Sequence, residues 1–319
     1  LLRHDAQRYV IKRGVTLTIR LLNQLESLRT NLPENAPLLL KELAQSIQYT
    51  IYSSELKEVV ELYKKEKSPS SYIIDKYDYL FRCIHLELIR GLLSHIYILD
   101  VCRTAHRIAI SKGFCCRPEM TEAMDLSITG FVHPFTEGGR MNDWKMTNGN
   151  NICILTGSNM AGKSTTLKAI TISVWLAHCG LPVPARSMTS PVFDGIYTSI
   201  NLPDSLRDGR SHFMAEILRI KEVLQKAKSG KRCLIILDEM FRGTNAQDAF
   251  EASIAVNELL RKYPHCSFLI STHILEYAKH FEKDNTCCFY YMDSRIEDDQ
   301  FICPYQRLEG ISESQGGYW

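Results

Sequence analysis

The sequence predicts an α/β fold with a mainly parallel sheet, preceded by an all-α helical region. Three observations carry that prediction. From about Val15 to Gly113 the apolar residues recur with helical spacing; after "CCRPEM" short apolar runs alternate with helical stretches; and a glycine-containing loop joins one of those runs to the helix after it.

The helical region contains "LTIRLLNQLESL", "PLLLKELAQSIQYTIYSSELKEVVELYKKEK" and the long tract from Tyr72 to Gly113. No proline occurs between Pro69 and Pro118, and Leu88, Leu92, Ile96 and Leu99 keep helical spacing. One continuous helix of about 40 residues would span about 60 Å and make a mechanical arm. Two packed helices broken near Gly91 fit the pattern equally, because an interior glycine costs about 1 kcal/mol. His85, His95 and His106 need be no more than helix-surface or packing residues. Residues 1–120 carry 18 Lys+Arg against 13 Asp+Glu, and residues 121–319 carry 20 against 23. A polyanion partner for the basic part is compatible with that balance, and so is a solvated helix surface. The expected domains are a helical core or lever over 1–120 and an α/β domain over 121–319.

The α/β part offers strands at "ICILT", "VFDGIYTSI", "CLIILD", "SFLIST" and "TCCFYYM", with helices from Lys163, after Ser211 and after Asn245 between them. Such alternation implies helix-covered parallel strands whose active loops gather at the C-terminal strand ends. Hydrophobic residues make up 45% and charged residues 23%, which excludes a disordered chain. The 11 cysteines are an odd number without a C-x-x-C pair, and they read as reduced thiols; Cys153 and Cys233 sit inside apolar runs as small hydrophobes. No apolar run approaches the roughly 18 residues of a membrane span. The chain opens on Leu1 and stops at "SQGGYW", and the expectation is a fragment of something longer.

Gly157, Gly162, Lys163 and Ser164 fit G-x-x-x-x-G-K-[ST] within "TGSNMAGKSTTLK". Glycines let successive N–H groups turn inward as an anion nest, and the following helix adds its positive N-terminal end. The loop Gly157, Ser158, Asn159, Met160, Ala161, Gly162, Lys163, Ser164 and Thr165 is therefore the candidate phosphate cradle. Lys163 would reach the β- and γ-phosphates and Ser164 would ligate Mg²⁺. A glycine turn that merely precedes a lysine is the bland alternative.

"CLIILDEM" ends an apolar run on Asp238 and Glu239. An aspartate there can hold the Mg²⁺ shell and the adjacent glutamate can orient or deprotonate the attacking water, unless both simply face solvent. "FLISTHILE" puts His273 after another strand, as a γ-phosphate sensor or a structural histidine. Ser211 reads as the N-cap of a helix from His212 to Lys228, and with Gly209 it makes a second anion site. Two grips on one triphosphate suggest that Ser211 acts in trans on the nucleotide of a second subunit.

The order of these motifs resembles the ATPase domain of the MutS family of DNA-repair proteins, a branch of the ABC-type ATPases. "TGSNMAGKST", "LDEMFRGTN", "DGRSHFMAE", "STH", "GFVHP" and Asn142-Asp143 are each similar to a family motif, and "ILDVCRTAHRIAISKGFCCRP" resembles the end of the family's long lever helix. The resemblance covers most of residues 80–319. It implies an ABC-type P-loop ATPase domain with ATP/ADP and Mg²⁺ as ligands, in a homodimer that is cytoplasmic or nucleoid-associated, or nuclear in a eukaryote. Lys163 would sit on the phosphates, Ser164 and Asp238 on Mg²⁺, Glu239 on the water and His273 at the γ-phosphate, with Ser211 acting across the dimer. Closure on ATP would be coupled to DNA mismatch or DNA-structure recognition. Ser158, Ala161, His212, Phe241 and Gly139 depart from the family pattern, which points to a divergent paralogue; Gly139 stands where the family has an aromatic for adenine stacking. The alternative function is a nucleotide-gated dimerisation and partner-binding module, and a transporter-type ATPase is a third.

Overall fold

The computed structural model describes residues 2–28, 31–65, 70–114, 116–200, 212–241, 244–297 and 300–312. Internal contacts divide the chain into two compact units, Leu1–Thr104 and Ala105–Trp319. That division falls ahead of the change in sequence texture near residue 120.

The first unit is helical: α1 (Leu2–Glu26), α2 (Leu38–Tyr52), α3 (Leu56–Lys65), α4 (Ser71–Tyr79) and the start of α5 (Leu86–Lys112). Val15, Ile19 and Leu22 of α1 recur at i, i+4 and i+7, so they share one face, and they pack with Ile47, Ile51, Leu56, Val59, Ile74 and Tyr77. The long helical tract is interrupted, but not at Gly91. A π-helical turn over Leu80–Ile84 separates α4 from α5, where the His85 N–H donates to the Leu80 carbonyl at 2.8 Å. That i→i+5 bond inserts a residue into the helical repeat, whereas Gly91 lies in open space inside α5 and disturbs nothing.

The second unit holds β1 (Glu119–Thr121), β2 (Leu126–Phe131), β3 (Asn142–Met146), β4 (Ile152–Thr156), α6 (Lys163–His178), β5 (Ser187–Pro191), β6 (Gly195–Ser199), α7 (His212–Lys228), β7 (Cys233–Asp238) and α8 (Ala246–Leu260). After them come β8 (Ser267–Ser271), α9 (Leu275–His280), β9 (Cys287–Met292), β10 (Arg295–Glu297), β11 (Gln300–Ile302) and β12 (Arg307–Glu309). A six-stranded sheet runs in the order β12-β9-β4-β8-β7-β6. Its β9, β4, β8, β7 and β6 pair in parallel, and β12 is antiparallel at one edge. A second sheet, β1-β5-β2-β3, and the β10-β11 hairpin give no periodicity strong enough to be expected from sequence.

Strands β4, β7 and β8 are buried at every position because both faces of the sheet are covered. Alternate residues feed opposite layers. Cys153, Leu155, Leu234, Ile236 and Leu269 pack with Leu167, Ile170 and Val174 of α6, while Ile152, Ile154, Ile235, Leu237, Phe268 and Ile270 pack with residues of α7, α8 and α9. Parallel pairing then brings the C-terminal ends of β4, β7 and β8, at Thr156, Asp238 and Ser271, to one edge.

Candidate active site

The loop between β4 and α6 turns on backbone conformations that side chains rarely adopt, with φ of 141° at Gly157, 70° at Met160 and 98° at Gly162. A Cβ at Gly162 would lie 3.1 Å from the Tyr305 ring, and one at Gly157 3.1 Å from the Met292 carbonyl oxygen. Glycine is required at both on conformation and on space. Lys163 begins α6 and curls back over its own loop, where its Nζ donates to the carbonyls of Gly157 at 2.9 Å and Ser158 at 3.0 Å.

Asp238 closes β7, and one of its oxygens, Oδ1, accepts the hydroxyl of Ser271 from the end of β8. The other, Oδ2, is buried with no hydrogen-bond partner among the described residues. Glu239 follows with φ 49°, and its N–H donates to both the carbonyl and the hydroxyl oxygen of Ser271, at 3.1 and 3.0 Å. This pinned turn aims the Glu239 carboxylate at the loop. Oε1 lies 3.0 Å from Lys163 Nζ, both residues being buried, and Oε2 lies 3.7 Å from Nδ1 of the half-exposed His273.

Lys163, Glu239 and His273 line a cavity of about 960 Å³ together with Asn159, Gly162, Ser164 and Thr165. The four non-glycine residues with positive φ among the described residues, Met160, Glu239, Phe241 and Tyr305, all line it too. Each such residue stores about 1–3 kcal/mol of strain that the surrounding structure must offset, and strain of that kind gathers at functional sites. Ser158 is buried with its hydroxyl unpartnered among the described residues, and Ala161 of the same loop is fully buried. Ser211, with Gly209, lies outside the described residues; α7 is described from His212.

Tyr305 is the residue that motif reasoning missed. It lines the first cavity and a second one of about 550 Å³ that also contains Gly162, Thr165, Val132, His133 and Arg140. Its backbone carbonyl accepts from Asn142 Nδ2 at 2.9 Å, and Asn142 Oδ1 accepts from the Arg307 N–H at 2.7 Å, so β3 fixes the segment that carries the ring. Burial, then the charge of Lys168, pushes the His133 imidazole below its usual pKa. At Gly139 any side chain would meet Thr136 Oγ1 at 2.6 Å and Val132 Cγ2 at 2.7 Å. The only sequence signal for Tyr305 is an aromatic beside Pro304, and its partners Gly162 and Asn142 are remote in the chain.

Fold and site together define a mixed α/β protein in which a strained glycine-lysine loop faces a strand-end acid pair. The MutS domain V family model matches residues 153–318, just over half of the chain, and the chain belongs to the MutS family. It is 31% identical over 241 residues to the DNA mismatch repair protein MutS of Shouchella clausii, covering 74% of this chain and 27% of that protein. It is 37% identical over 189 residues to the MutS of Granulibacter bethesdensis, covering 57% and 20%. It is 33% identical over 210 residues to the DNA mismatch repair protein msh3 of Botryotinia fuckeliana, covering 62% and 18%. The chain therefore spans about a quarter or less of the length of these relatives. No helix among the described residues is long and apolar enough to cross a membrane.

Proposed function

We propose that this chain is the ABC-type P-loop ATPase part of a MutS-like DNA-binding protein, and that it hydrolyses ATP to ADP and phosphate with Mg²⁺. The observation that carries the reading is the buried Lys163–Glu239 pair lining one cavity beside the strained loop, with buried Asp238 adjoining it through Ser271.

The residues fit the ligands. Asp238 Oδ2 is a buried carboxylate oxygen without a donor among the described residues, which is costly unless a cation or its water shell completes it, and Ser164 lines the adjoining cavity from the first turn of α6. Bound Mg²⁺ would neutralise charge developing on the phosphate oxygens. Lys163 holds the phosphates once its ammonium exchanges loop carbonyls and Glu239 for phosphate oxygens. Glu239, released from Lys163 and fixed by the Ser271 pins, orients the attacking water. His273 hydrogen-bonds the γ-phosphate. The base lies in the second cavity against Tyr305, and the Tyr305 ring takes the stacking part that Gly139 has no side chain to play. Ser211 completes the site of the second subunit in a homodimer, and closure is coupled to recognition of mismatched or branched duplex DNA.

Steady-state ATP hydrolysis by the wild type and by Lys163→Ala, each with no DNA and with homoduplex, mismatched and branched DNA, tests the whole reading. Mg²⁺-dependent turnover that one DNA stimulates and that Lys163→Ala lowers at least 10-fold is the expected result. Loss of a charge-assisted phosphate contact is worth about 1.5–3 kcal/mol, or roughly 10–100-fold. Wild-type turnover retained in Lys163→Ala would overturn the loop assignment. ATP binding and dimerisation without turnover would replace the enzyme with a nucleotide-gated assembly module.

A further inference from the structure

The cysteines among the described residues are free thiols. Two of them are partners across the strands that carry the phosphate loop. Cys153 of β4 and Cys288 of β9 stand opposite each other in the parallel ladder. Both side chains join the core layer of Leu155, Tyr290 and Met292, whereas Cys287, one residue earlier, joins the opposite layer with Ile152 and Ile154. The Cys153 and Cys288 thiols are hydrogen-bonded to each other. Cys153 is buried and Cys288 is partly exposed, so an oxidant can reach the pair from one side. Cys233 and Cys266 have no such access, because both are buried. Beside the first pair, the Arg307 guanidinium lies 4.0 Å from the centre of the Tyr290 ring, and its Nε and Nη1 are buried with no hydrogen-bond partner among the described residues. Burial, then the neighbouring Cys288, pushes the Cys153 thiol well above its usual pKa, and the Arg307 charge opposes that rise.

We infer that Cys153 and Cys288 form a modification site, a dithiol that a small disulfide of the glutathione class converts reversibly to a protein disulfide. Adjacent strands run about 4.8 Å apart, inside the roughly 4.4–6.8 Å between Cα atoms that a disulfide spans. The partly exposed Cys288 attacks first as the thiolate. Its sulfur bonds to one sulfur of the small disulfide and expels the other half as a thiolate. The Cys153 thiol gives its proton to that leaving thiolate and attacks the Cys288 sulfur, which expels the second small thiol. Two protein thiols are oxidised and one small disulfide is reduced to two thiols, so electrons and protons balance. Arg307, with donors to spare, favours the anionic sulfurs along the way. Disulfide Cβ atoms lie about 3.8 Å apart, so closing the bond draws β4 and β9 together by about 1 Å. The loop is seated on these two strands. Thr156, just before Gly157, donates its hydroxyl to the Tyr290 carbonyl at 3.4 Å, and the Met292 sulfur accepts the Thr166 hydroxyl at 3.5 Å. The Met292 carbonyl oxygen would stand 3.1 Å from a Cβ at Gly157. Oxidation therefore distorts the loop and weakens its hold on nucleotide. That consequence rests on the loop reading above, and the disulfide itself does not.

The test incubates the full chain with oxidised glutathione, traps free thiols by alkylation and maps linked peptides by mass spectrometry, for wild type, Cys287→Ser and Cys288→Ser. Circular dichroism checks that each variant is folded. A Cys153–Cys288 link that dithiothreitol reverses, kept in Cys287→Ser and missing in Cys288→Ser, is the expected result. Fluorescent-ADP affinity of the oxidised wild type should fall roughly 10-fold, about 1.4 kcal/mol, and return on reduction, while the same treatment leaves Cys288→Ser unchanged. Glutathione retained on Cys288 with Cys153 free, or a link from Cys288 to Cys303, overturns the site. A link that forms only in urea overturns it too. A Cys153–Cys288 link with unaltered affinity overturns the coupling to the loop. Reduced wild type that binds no ADP overturns the loop reading instead, and the peptide map still decides the disulfide.

Discussion

The two ends of the six-stranded sheet are made by the same strands and treat their polar groups in opposite ways. At the N-terminal end, Asn151 Nδ2 donates to the carbonyls of Tyr263 and Cys266 at 3.2 and 3.0 Å, and its own carbonyl accepts the Phe268 N–H at 2.8 Å. The Cys233 and Cys266 thiols both donate to the Lys231 carbonyl, at 3.4 and 3.5 Å. Asp284 takes Arg261 on one oxygen and Thr286 on the other. At the C-terminal end, Asp238 and Ser158 keep buried oxygens unpartnered among the described residues, Lys163 and Glu239 are held together away from bulk water, and Glu239 and Phe241 have left-handed backbones. The N-terminal end uses these polar groups to complete the structure, whereas the non-glycine residues with left-handed backbones among the described residues all line the cavity at the C-terminal end. Strain of that kind costs stability, so its gathering there marks where a ligand acts.

The sharpest way to break this comparison is to change chemistry at the C-terminal end without changing shape. Glu239→Gln keeps the side-chain volume and the backbone bonds to Ser271 but removes the carboxylate. Turnover should fall by about 10²–10⁴-fold, the usual contribution of a positioned base. A nucleotide-binding titration run alongside should show affinity kept or improved, because Lys163 is no longer held by an opposite charge. Hydrolysis at the wild-type rate would remove Glu239 from the reaction and leave its strain without a purpose.

A smaller effect follows from the loop itself. Gly162→Ala puts a Cβ at φ 98° and 3.1 Å from the Tyr305 ring, so the loop or the ring must move. Strain of about 1–3 kcal/mol is expected. If the loop is preorganised for phosphate, nucleotide affinity should drop roughly 10-fold while the thermal midpoint of the free protein falls by only a few degrees. Gly91→Ala supplies the control, since nothing lies within 4 Å of a Cβ there and a helix interior favours alanine. Equal affinity in Gly162→Ala would show that the loop conformation is incidental.

The C-terminal end was largely legible in the sequence, because a loop motif and strand-end acids are local signals. Gly157 through Ser164, Asp238, Glu239 and His273 were each named from their neighbours; Asn159, Met160, Gly162, Lys163, Ser164, Glu239 and His273 line one cavity, and Asp238 adjoins it through Ser271 and Glu239. What was not legible depends on approach between distant segments. Tyr305 meets Gly162 only because the segment after β11 is tied to Asn142, and Ser271 matters because it bridges two acids on a neighbouring strand. The interruption between α4 and α5 was misread for a different reason. Glycine is visible as a weak point, whereas a π-turn in an apolar tract leaves no compositional trace. Cys233 and Cys266 read only as small hydrophobes, and their shared acceptor appears only once two strands are aligned.

That thiol pair supplies the mildest test, at the end of the sheet where only stability is expected to respond. Burial is the main reason the Cys266 thiol is pushed up to about 12, against a hydrogen bond with the Cys233 backbone that pulls it down. Its thiol is neutral in the folded protein over the whole range in which an unfolded cysteine ionises, from about 8.5 upward. The folded form therefore holds a proton that the unfolded form gives up, and stability is full below about pH 8.5 and declines as pH rises toward 12. Each unit in that window costs up to 1.36 kcal/mol, so about 2 kcal/mol is lost by pH 10 from this residue. Urea unfolding of wild type and Cys266→Ala at pH 8 and pH 10 isolates the term, because every other titrating group is common to both. The variant should lose less stability than wild type between the two pH values, and its nucleotide affinity at pH 8 should be unchanged. A parallel decline in the two proteins would mean that the thiol ionises freely in the fold. A change in nucleotide affinity would mean that the two ends of the sheet are coupled, and that the division of labour between them is less complete than their hydrogen bonding implies.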